Sequence, residues 1–201
     1  MSRELSILPR FNSVPILSLV CLISSACANT TPVMEPSNTD RAKLEATATE
    51  LRKSAEAGDA SAQNRLGLLY DEGVGVPQNS RQAKEWFEKS ANQGHVGAQV
   101  NLGTVYYQGE GAPQSYQMAS FWFEQAAGQG DPLASAKLGW MYERGLGVLQ
   151  DFVRAHMWYN LAAVGGEPRA AAARDALTKQ MTTAQIAEAQ RLAREWRPKR
   201  K

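Results

Sequence analysis

The sequence predicts an all-α protein, a right-handed α-solenoid of antiparallel helix pairs, and three observations carry that prediction. The first is a 36-residue period: Gly58 recurs as Gly94, Gly130 and Gly166, Leu66-Gly67 as Leu102-Gly103 and Leu138-Gly139, Tyr70 as Tyr106 and Tyr142, and Trp86 as Trp122 and Trp158. A period of this size marks stacked supersecondary units rather than one closed core. The second is the content of one unit. Ala62, Leu66, Leu69 and Tyr70 fall on one helical face, and Ala83, Trp86, Phe87, Ser90 and Ala91 on another, so each repeat holds two amphipathic helices. The third is the punctuation between them. Gly73 stands where a helix end wants a left-handed residue, Pro77 cannot continue the helix, and Asn79 opens the next one with Gln82 in the capping-box slot.

Residues 1–28 read as an export signal. Arg3 and Arg10 supply the basic start, Val14 to Ile23 the apolar stretch, and Ser24, Ser25 and Ala26 the small residues before a cleavage site. The apolar stretch falls short of the roughly 20 residues that a permanent span needs. Two processing routes fit at Cys27. Ile23-Ser24-Ser25-Ala26-Cys27 resembles a bacterial lipobox whose cysteine is lipidated, with Ser24 where leucine is favoured; Ala26-Cys27-Ala28 also fits an A-x-A site cut before Asn29. Lipidation is the preferred reading, because residues 29–40 (NTTPVMEPSNTD) form the polar tether an anchored domain needs. By resemblance to Gram-negative lipoproteins, Ala28 after the cysteine implies an exported, periplasmic protein held at the outer membrane.

Both cysteines, Cys21 and Cys27, lie in this segment, so the folded region has neither disulfides nor thiol chemistry. Without Arg3, Arg10 and Glu4, the 22 basic and 20 acidic residues become 20 and 19, a near balance that argues against nucleic-acid binding. About 160 residues from Arg41 onward make one elongated domain.

Residues 41–57 align with the second helix of a repeat. Leu51 falls under Phe87 and Ala55 under Ala91, while polar Thr47 and Glu50 replace Ala83 and Trp86, as an end cap requires. Residues 58–167 hold three repeats. Asp59 and Asp131 are good N-caps, Pro132 and Pro168 suit a first turn, and His95 is the poorest cap of the series. Gly67, Gly103 and Gly139 sit mid-helix, where glycine costs about 1 kcal/mol relative to alanine. Their recurrence predicts a backbone contact with no room for Cβ, against the small Ala83, Ala119 and Ala155. Residues 168–198 begin a fourth copy, with Arg174, Asp175 and Thr178 where Leu, Gly and Tyr should stand. A capping helix follows from Thr182, presenting Ala189, Leu192 and Trp196 on one face. Residues 199–201 are a basic tail, read either as solvated or as a contact for anionic lipid or cell-wall polymer.

The pattern Ala-Gln-x-x-Leu-Gly-x-x-Tyr-x-x-Gly-x-Gly-Val-Pro-Gln, then Ala-x-x-Trp-Phe-x-x-Ala-Ala and Gly, resembles the Sel1-like repeat, a relative of the tetratricopeptide repeat with a longer inter-helix loop. Departures are few: Leu149 replaces the loop proline in the third copy, and Glu110 and Ala112 alter the second loop. The resemblance implies a non-enzymatic scaffold or adaptor of the bacterial cell envelope that holds a protein or peptide in a concave groove lined by first helices. The groove positions beside the core stripe are Arg65, Leu68 and Glu72; Asn101, Thr104 and Gln108; Lys137, Trp140 and Arg144. They differ from copy to copy, unlike the framework. Trp140 stands out, with Lys137 and Arg144 three residues before and four after it, and it serves either as a binding hot spot or as packing for the C-terminal cap.

Two other functions are in play. A peptidoglycan or polysaccharide-binding module would use Trp140 or Tyr107 as a stacking platform. A β-lactamase-like or cell-wall hydrolase function, associated with disulfide-rich relatives of this family, is disfavoured by the absence of their cysteines. No catalytic residue, metal ligand or cofactor site is assigned. His95 lies in an inter-repeat turn, His156 in a slot expected to face solvent, and no paired carboxylates occur. The Gly-x-Gly turns follow helices, not strands, and lack a Gly-Lys-Ser/Thr sequel, so they are structural.

Overall fold

The computed structural model describes residues 37–199. The export segment with Cys27, residues 29–36 of the tether, and Arg200 and Lys201 lie outside the described residues. Among the described residues there are nine helices and no strand: α1 Asn38–Glu56, α2 Ala60–Glu72, α3 Ser80–Asn92, α4 Val96–Gln108, α5 Tyr116–Gly128, α6 Pro132–Arg144, α7 Phe152–Val164, α8 Ala170–Thr178 and α9 Thr183–Glu195. Helix α1 begins three residues before Arg41, because the Ser37 hydroxyl caps it by accepting from the Asp40 N–H. Helices α2 and α3, α4 and α5, and α6 and α7 pack as pairs, and each pair packs on the next.

The antiparallel hairpin of each pair is closed by one recurrent bond. The N–H of the second helix's N-cap donates to the carbonyl of the framework tyrosine: Asn79 to Tyr70 at 2.8 Å, Ser115 to Tyr106 at 2.8 Å and Asp151 to Tyr142 at 3.0 Å. Side-chain caps work throughout the repeats. His95 is no exception, since its Nδ1 accepts from Ala98 N–H at 3.2 Å. Asn79 accepts from Gln82 N–H at 3.0 Å, the single bond of an ordinary cap, whereas Thr182 and Gln185 form the reciprocal box. Pro168 precedes α8 rather than opening it, and Arg169 gives that helix no side-chain cap.

The Gly-x-Gly turns serve packing. Gly73, Gly109 and Gly145 end the first helices in the left-handed region, and Gly75, Gly111 and Gly147 are also at positive φ. A Cβ on any of the latter three would strike the backbone of the preceding second helix, at Leu44, Ser80 or Tyr116. The turn is thus where one repeat touches the last. Leu44 of α1 meets Gly75 as Ser80 meets Gly111 and Tyr116 meets Gly147, so α1 packs here as the second helices do.

The mid-helix glycines are explained by aromatic rings more than by alanines. A Cβ at Gly67 would come within 2.5 Å of the Phe87 ring, at Gly103 within 2.6 Å of Phe123, and at Gly139 within 2.8 Å of Tyr159. Two buried clusters result, one centred on Leu66, Phe87 and Leu102 and the other on Phe123, Leu138 and Tyr159. The aromatic after each framework tryptophan is buried; Trp86 and Trp122 are half-exposed, whereas Trp158 is buried too.

A buried amide ladder joins the first repeats. Gln63 and Gln99 donate to the carbonyls of Ala55 and Ala91, and Gln93 and Gln129 donate to the Oε1 atoms of Gln63 and Gln99 at 2.7 and 2.8 Å. The ladder stops in the third repeat, where Ser135 and Gly165 replace glutamines, and a Cβ at 165 would press on Pro132 at 2.6 Å. There the C-terminal segment takes over. Trp196 meets Trp158 edge-on at 6.1 Å, and the Lys199 N–H donates to the Gly128 carbonyl at 2.7 Å. The tail is thus docked as far as Lys199, not solvated from its first residue. His156 also departs from expectation: it is 3% exposed, because its slot faces the following first helix, as Lys84 does when it joins Glu88 near Tyr106.

Candidate binding site

The variable first-helix positions assemble into two grooves built from the same slots one repeat apart. Between α2 and α4 lies a depression lined by Asp71, Phe87, Asn101, Thr104, Val105, Gln108 and Glu110. Three predicted residues, Asn101, Thr104 and Gln108, meet there. Asn101 is held by donating its Nδ2 to the Asn64 Oδ1 at 3.0 Å, which leaves its own carbonyl oxygen to accept. Thr104 donates back to the Val100 carbonyl at 2.9 Å. Burial pushes the Asp71 carboxyl above the usual range, and the nearby charges of Glu110 and then Glu72 push the same way. This groove is polar, acidic and open.

The groove between α4 and α6 is filled. Tyr107 takes the slot of Asp71, Trp140 that of Thr104, and the two rings meet edge-on at 5.6 Å and 73°. Tyr116, at the start of α5, adds a third ring 5.5 Å from Tyr107. Leu146, in the slot of Glu110, packs against the same cluster. Such pairs contribute about 0.5–1.5 kcal/mol beyond their area. Burial, then Tyr116, raises the Tyr107 hydroxyl above its ordinary value.

The partner of Trp140 is therefore Tyr107, while the C-terminal cap presents Trp196 to Trp158 instead. Nor does Lys137 flank Trp140 as a free cation. Its ammonium stands over the Phe123 ring, 5.4 Å from the centroid, and burial lowers its pKa against a smaller opposing effect of Glu167. The remaining predicted residues spread out: Arg65, Glu72 and Arg144 are exposed, and Leu68 packs against the first cluster. Asp71, Glu110 and Tyr116 were missed by reasoning from the core stripe. The signal was present in the slot shared by Asp71, Tyr107 and Glu143, whose chemistry changes at every copy. In the third copy Glu143 turns to structure and accepts from the Tyr159 hydroxyl at 2.7 Å, a bond that joins burial in raising the phenol far above its usual range.

Among the described residues no three His, Cys, Asp or Glu side chains are placed to hold a metal, and no helix is long and apolar enough to cross a membrane.

The Sel1 repeat pattern matches residues 60–95, 96–131 and 132–166. None of the curated proteins matches the chain. Among solved structures, a Sel1 repeat protein from Oxalobacter formigenes is 33% identical over 68% of this chain and 61% of its own, with a TM-score of 0.61. Another similar structure is c5321, described as a protective antigen of uropathogenic Escherichia coli strains displaying an SLR fold; it is 28% identical over 78% of this chain and 44% of its own, with a TM-score of 0.57. The chain thus spans less than two thirds of either structure. Three consecutive repeats over more than half of the sequence, with helix pairs, loop glycines and framework aromatics in register, make this chain a member of the Sel1 repeat family.

Proposed function

We propose that this protein is a non-enzymatic scaffold of the bacterial envelope, tethered by a lipid on Cys27, that holds a segment of a partner protein along its first-helix face. Sel1 repeats are in general protein–protein interaction modules. The observation that carries the finer reading is the contrast between the two grooves: an open, acid- and amide-lined depression beside an aromatic cluster offers a partner chain two unlike contacts one repeat apart. Aromatic anchors with adjacent polar positions are the composition of binding hot spots. A partner segment with a basic side chain for the first groove and an apolar one for the second fits both.

A polysaccharide or peptidoglycan ligand is the second reading, favoured by the Tyr107, Tyr116 and Trp140 rings, since sugar faces stack on aromatic rings. One experiment separates the two. Photo-crosslinkers placed in cells at positions 65, 101 and 140 are expected to capture a discrete protein, lost when Trp140 and Asp71 are replaced by alanine. Capture of glycan instead, or retention on isolated peptidoglycan that needs Trp140, would sink the protein-scaffold reading. Hydrolysis of a β-lactam or muropeptide by the purified domain, abolished by a point substitution, would overturn the non-enzymatic assignment. Labelling with a palmitate analogue, absent in Cys27→Ala, tests the anchor.

A further inference from the structure

The second helices carry their own set of equivalent positions on the side turned to solvent, and the three copies are finished differently. On α3 the stripe is polar: Gln82, Glu85, Trp86 and Lys89, with the Lys89 ammonium 3.9 Å from the centre of the Trp86 ring. On α7 the slot of Met118 holds exposed Arg154, and the slots of Phe121 and Trp122 are apolar and covered. Met157 and Trp158 are 9% and 8% exposed, packed in one cluster with Ala193, Leu192 and Trp196 of the C-terminal cap. On α5 the stripe is apolar and bare: Met118 is 38% and Phe121 47% exposed, and Phe121 stands edge-on to Trp122 at 5.0 Å. Gln125 occupies the slot from which Lys89 shields Trp86, so α5 itself supplies no cation to its rings.

The contact made by α9 leads directly to this stripe. Beyond Trp196 the chain crosses the turn at Gly130, and the Lys199 N–H bonds to the Gly128 carbonyl, one helical step past Gln125 on α5. The interface that covers α7 thus ends on α5 itself, six residues past Trp122. What covers an equivalent stripe in this molecule is an amphipathic helix that offers small residues, Ala189 and Ala193, and closes on one tryptophan.

We propose that Met118, Phe121 and Trp122 form a docking site for an amphipathic helix of a partner protein, seated on α5 as α9 is seated on α7. Small residues on the incoming helix let its backbone approach, and its aromatic packs on the Phe121–Trp122 pair, which supplies the anchor. The site is separate from the first-helix grooves and stands whether or not those bind a partner.

The test uses the whole mature protein and, as probe, a labelled peptide of residues 183–199, the segment that covers α7. The peptide is expected to bind, to gain helicity by circular dichroism, and to be captured by a photo-crosslinker at position 118. Phe121→Glu and, independently, Met118→Lys should each weaken it at least tenfold, with Tm within about 2 °C of the parent because both side chains are exposed. Glu85→Lys, at the matching slot on α3, should leave binding unchanged. Absence of binding, equal binding to Phe121→Glu, or no capture from position 118 would overturn the proposal. So would self-association of the protein that Phe121→Glu abolishes, which would assign the face to a second copy.

Discussion

The α2–α4 and α4–α6 grooves share a backbone and a floor, a phenylalanine ring beneath a mid-helix glycine, yet they serve different ends. Over Phe123 sits the Lys137 ammonium, and Tyr107, Trp140 and Leu146 fill the space above. Over Phe87 the same slots hold Asn101, Asp71, Thr104 and Glu110, and the space stays open. Because Leu-Gly, Tyr and Phe/Tyr hold each pair together from behind, the front slots are relieved of packing duty. One groove fills them with packed rings and the other leaves its space open.

That contrast has measurable consequences, the largest at the framework both grooves share. Gly111→Ala places a Cβ at positive φ against the Ser80 backbone, and should destabilise the domain by about 3 kcal/mol in urea unfolding, combining left-handed strain with overpacking. A loss below about 1 kcal/mol would show that the repeats are not locked at their turns. Next is Trp140→Ala, expected to lower stability by about 2 kcal/mol, less than for a fully buried tryptophan. Thr104→Ala, in the matching slot, should change it by under about 0.5 kcal/mol. Equal effects would erase the distinction between the grooves.

A double-mutant cycle sharpens it further. Tyr107→Leu with Trp140→Leu should give a coupling of about 1 kcal/mol, and Asp71→Leu with Thr104→Leu close to none. The smallest effect concerns pH. The raised pKa of Asp71 means that the folded chain binds a proton more readily than the unfolded one, so its contribution falls as pH rises from about 4 through the raised value. Asp71→Asn should therefore raise Tm slightly at pH 7 and have no benefit at pH 4. An equal gain at both values would remove the crowded-carboxylate account.

A second pH effect lies away from the grooves. Burial, then the charge of Arg174, lowers the pKa of His156, whose Nδ1 has no hydrogen-bond partner. The folded state thus resists protonation, and stability should drop as pH falls through about 6.5, the ordinary value for histidine. Equilibrium unfolding of His156→Gln between pH 7.5 and 5 is expected to lose that dependence.

The helices were legible because their signals are local and repeated three times: capping residues, loop glycines and a 3.6-residue apolar stripe need no distant partner to be recognised. The grooves were only partly so. Asn101, Thr104 and Gln108 could be placed on a first-helix face, but Asp71 and Glu110, which complete the depression, lie beside that stripe and beyond the helix end. His156 was misplaced because its burial comes from helices some 20 residues further along the chain, whose pattern has left the repeat.

By itself, then, the sequence determined the number of repeats, the helix boundaries to within a few residues, and which positions are framework, because each depends on spacing within one 36-residue unit. Only the tertiary structure decided what faces each slot across the stack. It paired Trp140 with Tyr107, set Lys137 over Phe123, brought Lys199 back to Gly128 and left Phe121 bare. Those contacts join residues of different repeats, and a period that fixes where each helix lies does not fix which side chain its neighbour turns toward it.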